Sequence, residues 1–365
     1  MTAGDGVSFV VPVHNGAPWI RATVAAILAQ ADGRPLEVIL VDDGSTDESP
    51  VILPALALDD RVRVVSAAGR GAAAAINAGV RAAVHPIVCQ VDQDVVVQPG
   101  WMHHLLADLA EPDVGAAQGY YVSAPDAALF GRAMNVDLEQ RYAGIRGRDT
   151  DHVCTGNTAY RVDALRQVGL LDEELGYGYD NDVSYRLCDA GYRLTINREA
   201  RAIHCWREGL VGYLVQQYGF GYGRLDLVAK HPHRATGDRV SPAPMMAHPL
   251  LMALAVLCGL LAAIGGLVGR PSPAIALAAL VVVAGLAAER LAAGIAAARR
   301  FGDRTALTFP LLHLVRDLAW VAAIGVWLAR RVVRRPFNPS HSMRPRAAYG
   351  LSRPASEPAP KRPSA

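Results

Sequence analysis

The first hundred residues switch repeatedly between two hydrophobic periodicities, and this alternation restricts the fold more than any other property of the chain. "VSFVVPV" (7–13) is a short, continuous apolar run of the kind buried on both faces of a parallel sheet. "APWIRATVAAILAQ" (17–30) then carries Ile20, Val24, Ile27 and Leu28 at helical spacing. "LEVILVDDG" (36–44) reads as a second strand, followed by a helix that Pro50 and Pro54 keep short. "RVRVVSA" (61–67), "GAAAAINAGVRAAV" (71–84) and "PIVCQVDQDV" (86–95) continue as strand, helix and strand. Strands and helices joined by short links predict an α/β domain on a doubly wound parallel sheet. Ligands of such sheets sit beyond the carboxyl ends of the strands, and three of those ends here read "PVHN", "VDDGS" and "VDQD".

The polar residues at those ends have compatible chemistry. If "VDQDV" stays extended, Asp92 and Asp94 point the same way and can address one ligand. Two such carboxylates beside a diphosphate suit Mg2+ or Mn2+, which takes a few protein oxygens together with phosphate and water. A D-x-D pair alone more often marks a solvated strand end, and only its company at the other strand ends reverses that reading. In "VDDGSTD", Ser45 or Asp47 can cap the next helix and Gly44 can make the turn. Capping leaves Asp42 and Asp43 unexplained, and one of them can hydrogen-bond a ribose or a base edge.

Composition changes along the chain. From Asp151 to Cys205 an α+β portion is expected to complete the sheet, and residues 231–248 read as a linker or interfacial segment. From 249 to 329 the chain is dominated by Ala, Leu, Val, Ile and Gly. "PLLMALAVLCGLLAAIGGLVG" (249–269) holds no charge, and 273–298 is comparable until Glu289 and Arg290. The segment 306–329 places Arg316 and Asp317 near its middle, which is costly in lipid unless the pair is buried or interfacial. Arg299, Arg300 and Arg304 make the link between the second and third segments basic, and the positive-inside rule sets that link and the tail in the cytoplasm. Two spans plus one irregular or interfacial segment satisfy this. Residues 330–365, rich in Pro, Arg and Ser, read as a basic disordered tail. The five cysteines have no metal-type spacing and read as reduced thiols. A strand pattern that begins at once argues against a cleaved leader.

"VVPVHN", "VILVDDGSTDES", "VDQDV", "GNTAYRVDALRQVGLLDEELG" and "YDNDVSYRL" stand in an order and spacing that resembles the family 2 glycosyltransferases, over roughly residues 6–230. The later "LVQQYGFGYGRLDLVAKHP" and the apolar region look like the membrane-bound branch typified by succinoglycan and exopolysaccharide glycosyltransferases. The resemblance implies a GT-A fold, a nucleotide-diphospho-sugar donor and a hexosyl transfer that inverts the anomeric centre. It implies that Pro12, Val13 and Asp43 line the base pocket with Asp42 supporting that loop, and that Asp92 meets the ribose or sugar. Asp94 would be the principal metal ligand, joined by His204, and Mg2+ or Mn2+ the cofactor. Gly156 and Asn157 would lie beneath the donor sugar. Family members usually carry Arg where Ile76 stands, so any diphosphate contact from that position passes in expectation to Arg70.

The family's Glu-Asp-x-Asp pattern falls on Tyr179, Asp180, Asn181 and Asp182, with Asp180 implied as the general base. Asp182 or Asn181 is expected to cap the helix, with Asp182 also a candidate for diphosphate or acceptor contact. Gln217 and Arg224 stand where processive synthases carry Gln-x-x-Arg-Trp, a motif absent here. Arg224 can pair with diphosphate, or its helix can lie in the membrane interface. The expectation is a glycosyltransferase domain (1–230) at the bacterial inner membrane, facing the cytoplasm, acting on a lipid-linked or nascent saccharide. No nucleic-acid partner is expected. Polyprenyl-phosphate glycosylation, a non-catalytic nucleotide-sugar-binding assembly subunit and a nucleotidyltransferase are the alternatives.

Overall fold

The structure is a computed structural model that describes residues 6–124, 127–206 and 209–333. The expected tail lies, from residue 334 on, outside the described residues. Strands β1 (Val7–Val13), β2 (Leu36–Asp42), β3 (Val62–Ser66) and β4 (Ile87–Val91) pair in parallel in the order β3-β2-β1-β4. The helices α1 (Ile20–Leu28), α2 (Ser49–Leu56) and α3 (Ala72–Ala82) supply the crossovers. The apolar strands serve two cores at once. Phe9, Val11, Val38 and Leu40 pack with α1 on one face, while Val10, Ile39 and Val41 pack with Ile76 and Val80 of α3 on the other. Such two-sided burial is why β1 and β2 read as nearly continuous apolar runs rather than as alternating ones.

The strand expected over 86–95 is broken. β4 stops at Val91, the chain turns with the Val95 N–H on the Asp92 carbonyl (3.0 Å), and β5 (Val95–Val97) departs for the far edge of the sheet. The D-x-D pair therefore occupies a tight turn rather than an extended strand.

The remainder of the sheet is mixed. α4 (Trp101–Asp108), β6 (Val114–Val122), α5 (Leu129–Ala143), β7 (Asp149–Thr150), β8 (Asn157–Arg161), α6 (Val162–Gln167), α7 (Tyr179–Asp189) and β9 (Arg193–His204) follow in order. β8 lies antiparallel between β4 and β6, and β9 pairs with β6, β5 and β7, closing a nine-stranded sheet. The Val95–His204 pairing of β5 with β9 sets the end of β9 beside the D-x-D turn.

The long α8 (Leu210–Lys230) leads out of this domain toward α9 (Ala243–Leu267), α10 (Pro273–Phe301) and α11 (Phe309–Val333). All three of the last helices are long and apolar enough to cross a membrane. They differ in how they are covered. The most apolar stretches of α9 and α10 are only 11% and 6% buried, against 39% for α11. α11 runs parallel to α8: the Tyr213 hydroxyl donates to the Leu312 carbonyl (3.1 Å), and the Trp327 indole N–H donates to Asp226 (2.8 Å). Between these contacts Trp320 lies directly against Gly221. The three glycines of "YGFGYG" explain the fit, because side chains at Gly219 and Gly223 would strike Tyr177, while one at Gly221 would strike Trp320. Close approach on two faces of α8 demands the missing Cβ.

Candidate active site

The expected donor side is built by loops that hold one another. Asp42 accepts the Ser45 N–H (3.0 Å), and Asp43, buried, accepts the Gly71 N–H with both oxygens (3.2 and 3.0 Å). Pro12 and Val13 pair with Val41 and Asp42 along β2, and the Asp43 N–H donates to the Val13 carbonyl (2.7 Å). Beyond them, His14 and Gln93 exchange two bonds (2.9 and 3.1 Å), which ties the end of β1 to the D-x-D turn. The expected base-pocket residues thus lie together beside the two acids.

Within the turn the acids face different partners. Asp92 accepts from the Gln90 side-chain amide (2.9 Å) and rests against the Cα of Gly156, where any side chain would clash with its carboxylate. Asp94 lies 3.4 Å from His204 Nε2, so the two expected metal ligands meet. Burial, and then the charge of Asp94, push the Asp92 carboxyl up to about 6. The charge of Asp180 adds to that rise, which sets the base candidate close to the same acids.

Asp180 stands in the first turn of α7, behind the left-handed Gly178, with its side chain 27% exposed. It receives the Asn181 N–H (2.9 Å) and has His152 Nε2 at 3.6 Å. Tyr179, where the family has Glu, is held well above the usual phenol range by burial and by the charges of Asp92 and Asp180. A neutral hydroxyl therefore occupies a place where a third carboxylate would add like charge.

Other expected residues are placed elsewhere. Asp182 is fully buried and accepts from Arg186 (2.9 and 2.6 Å) and His231 (2.8 Å), with Lys230 at 2.7 Å. It neither opens to the cleft nor caps: no side chain caps α7, and the Asp182 N–H donates to the Gly178 carbonyl. Asn157 is fully buried on β8 and accepts the Trp101 indole N–H (2.6 Å). Arg70 is exposed and pairs with Glu173 instead of reaching the diphosphate side. Asn77, beside Ile76, clamps the Leu171 backbone with two bonds (2.8 and 3.0 Å).

Two residues that the sequence did not single out stand behind Asp180. His152 is buried between Asp180 and Asp238, whose Oδ1 lies 3.7 Å from its Nδ1. Asp238 comes from the segment expected to be a linker. That segment instead packs on the domain, with Arg234 on Asp151 (2.9 Å), Arg239 N–H on Asp151 (2.8 Å) and Val240 in the main core. Asp238 accepts from Tyr185 (2.7 Å), Asn181 (3.1 Å) and the N–H groups of Val240 and Ser241 (3.0 and 2.7 Å), with Arg224 at 3.6 Å. Burial works against a charged His152, but the carboxylates of Asp238 and Asp180 prevail and raise its pKa well above the ordinary value. Only the "Gly-Asp" turn in "ATGDRVSP" hinted that this segment folds.

A cavity of about 200 Å³ opens from Asp180. α5, α8, α11 and the start of α9 enclose it, and Gln217 and Arg224 line it beside Phe220, Met134 and Leu312. Gln217 and Arg224 thus line the same cavity as Asp180 rather than an exposed interfacial surface.

A mixed sheet with acids on a turn at its centre, a carboxylate across the cleft and a cavity beyond defines a nucleotide-sugar transferase of the GT-A fold. The chain belongs to glycosyl transferase family 2, whose family model matches residues 8–169. It is 30% identical over 347 residues to a pre-mycofactocin glycosyltransferase of Mycobacterium tuberculosis, covering 89% of this chain and 72% of that one. It is 28% identical over 240 residues to the succinoglycan biosynthesis protein ExoA of Rhizobium meliloti, covering 61% of this chain and 70% of that protein. Among solved structures it shares its fold with the mannosyltransferase PcManGT of Pyrobaculum calidifontis, solved with GDP-Man and Mn2+. That likeness has a TM-score of 0.58 at 21% identity, covering 90% of this chain and 88% of that one.

Proposed function

We propose that this glycosyltransferase is a membrane-anchored, inverting enzyme that moves a hexosyl group from a nucleotide-diphospho-sugar to a hydroxyl of a lipid-linked or nascent saccharide acceptor. The observation that carries the reading is the position of Asp180, near the D-x-D acids on one side and opening into the cavity on the other. The acceptor oxygen attacks the anomeric carbon as the bond from that carbon to the diphosphate oxygen breaks. Asp180 takes the hydroxyl proton, and the nucleoside diphosphate leaves with the bonding pair. His152 and Asp238 hold the Asp180 carboxylate in place. Pro12, Val13, Asp42 and Asp43 form the base side, and Asp92 with Gly156 the sugar side.

The residues present fit a divalent cation. A carboxylate from the turn after β4 and an imidazole from the end of β9 meet at 3.4 Å, and the neighbouring negative charge that adds to burial in raising the Asp92 pKa is what a dication relieves. Asp94 and His204 would hold Mg2+ or Mn2+, which when bound would neutralise charge on the departing diphosphate. The PcManGT structure, with GDP-Man and Mn2+, agrees with this reading.

The bare apolar faces of α9 and α10 suit two spans. α11 runs beside α8, whose Arg224 lines the catalytic cavity, so it suits the membrane surface on the cytoplasmic side. This arrangement keeps the basic 299–304 link inside a bacterial plasma membrane. A panel of nucleotide sugars, screened for Mn2+-dependent thermal stabilisation of the full chain, tests the donor reading. One donor is expected to raise Tm, and Asp94→Asn is expected to abolish the metal dependence and lower transfer by at least about a hundredfold. No shift with any donor overturns it.

A second reading, transfer to a polyprenyl monophosphate, draws on the arginines of the cavity wall. The acceptor would then be ionised already, and Asp180→Asn would leave turnover intact.

A further inference from the structure

The cavity at Asp180 has a second polar wall that the transfer step does not use. It lies on α11, where His313, Arg316 and Trp320 line the cavity on one face of the helix at spacings of three and four. The Arg316 side chain is 4% exposed. Its Nε donates to Asp317 (3.0 Å), but among the described residues its Nη2 has no hydrogen-bond partner. The Trp320 indole Nε1 is likewise buried without one. Asp317 is not part of the cavity wall. Arg141, also in the wall, is committed to Asp137 (3.1 Å), and Arg224 to Tyr185 (3.3 Å) and Asp238 (3.6 Å). Buried polar groups are nearly always matched; on this face of α11, Arg316 Nη2 and Trp320 Nε1, beside a His313 Nδ1 that is also unmatched among the described residues, ask for an acceptor atom from outside the chain. One donor is a full guanidinium, which favours an anion and phosphate above all. Between this wall and Asp180 the lining is largely apolar, and Met245 brings the first turn of α9 to the cavity.

We infer that Arg316 and Trp320 form a subsite for the phosphate of a phosphate-linked lipid acceptor, separate from the place at Asp180 where the attacked hydroxyl sits. This rests on the acceptor reading above and narrows it: Nη2 and Nε1 donate to phosphate oxygens that take no part in the bond changes. α11 is then part of the substrate site as well as a surface anchor.

The test is thermal stabilisation of the full chain, in a neutral detergent, by dodecyl phosphate, with dodecyl maltoside and inorganic phosphate as the other arms. Dodecyl phosphate is expected to raise Tm, whereas the neutral lipid and free phosphate do not. Arg316→Gln and Trp320→Phe should each weaken its apparent affinity, the former about tenfold or more. Arg316→Lys keeps the charge and should retain part of the shift if Arg316→Gln fails to fold. Each variant should keep the wild-type shift with donor and Mn2+, which separates this subsite from the donor reading. A wild-type shift no larger than the maltoside arm, an equal shift with inorganic phosphate, or a full shift in both Trp320→Phe and Arg316→Gln overturns the assignment.

Discussion

The two sides of the cleft are built on opposite plans. On the donor side the functional groups follow consecutive strands of one sheet and are held largely by neighbouring main chain. Asp42 takes the Ser45 N–H, Asp43 the Gly71 N–H, and Gln93 clasps the backbone of His14. On the acceptor side Asp180 is supported by His152, and His152 by Asp238, which in turn gathers Asn181, Tyr185 and Arg224. These are side-chain contacts between segments far apart in sequence, and α11 closes the cavity beyond them. A donor site made of strand ends can be shared by many chains with the same sheet. An acceptor site made of long-range side-chain pairs is free to change with the acceptor.

The comparison can be broken at Asp180, where the two sides meet. Asp180→Asn should cut transfer to a hydroxyl acceptor by about 10²–10⁴ while leaving Mn2+-dependent donor binding intact, as read by steady-state kinetics beside a thermal shift. Unchanged turnover would move the reaction to an acceptor that is already ionised. The next largest effect is on the fold of the acceptor side. Asp238→Asn leaves His152 and Arg224 without their buried counter-charge and should cost about 3–5 kcal/mol in denaturant unfolding. A neutral outcome would mean that the segment around Asp238 does not hold the site together.

A smaller effect carries a pH signature. His152 has a folded-state pKa raised well above its ordinary value of 6.5 by Asp238 and Asp180, against the pull of burial. Its ion pairs therefore contribute stability that is fully present below pH 6.5 and is lost as pH rises through the folded value. The Tm gap between wild type and His152→Gln should be widest at acid pH and narrow on the alkaline side. A gap that stays constant or widens with pH would mean that His152 is not charged in its pocket.

Much of the donor side is legible in the amino-acid sequence. The apolar runs at 7–13 and 36–42 form β1 and β2, whose residues are buried on both faces, and the shorter run at 62–66 forms β3 beside them, at the edge of the sheet. The D-x-D spacing points to the right residues through an extended strand they do not form, since Asp92 and Asp94 share a turn. Asp182 and Asn157 read as site residues by motif, but both are fully buried, one in an ion cluster and one against Trp101. His152 is invisible at that level because a lone His has no pattern of its own. Asp238 has no periodic signal, because a short polar segment broken by Gly237 and Pro242 looks the same whether it packs or not.

The chain's hydrophobic periodicity determined the parallel half of the sheet, its crossovers and the three apolar helices, because burial of regular elements is written in local spacing. The D-x-D and "YDND" motifs marked where charge would gather. Only the tertiary structure decided which carboxylate opens to the cleft and which is neutralised inside. It also decided that residues 231–241 pack behind His152 and Asp180 and that α11 runs along α8 to wall the cavity. Those choices depend on long-range side-chain pairing and on close approach at Gly219, Gly221 and Gly223, whose partners lie far away in the sequence.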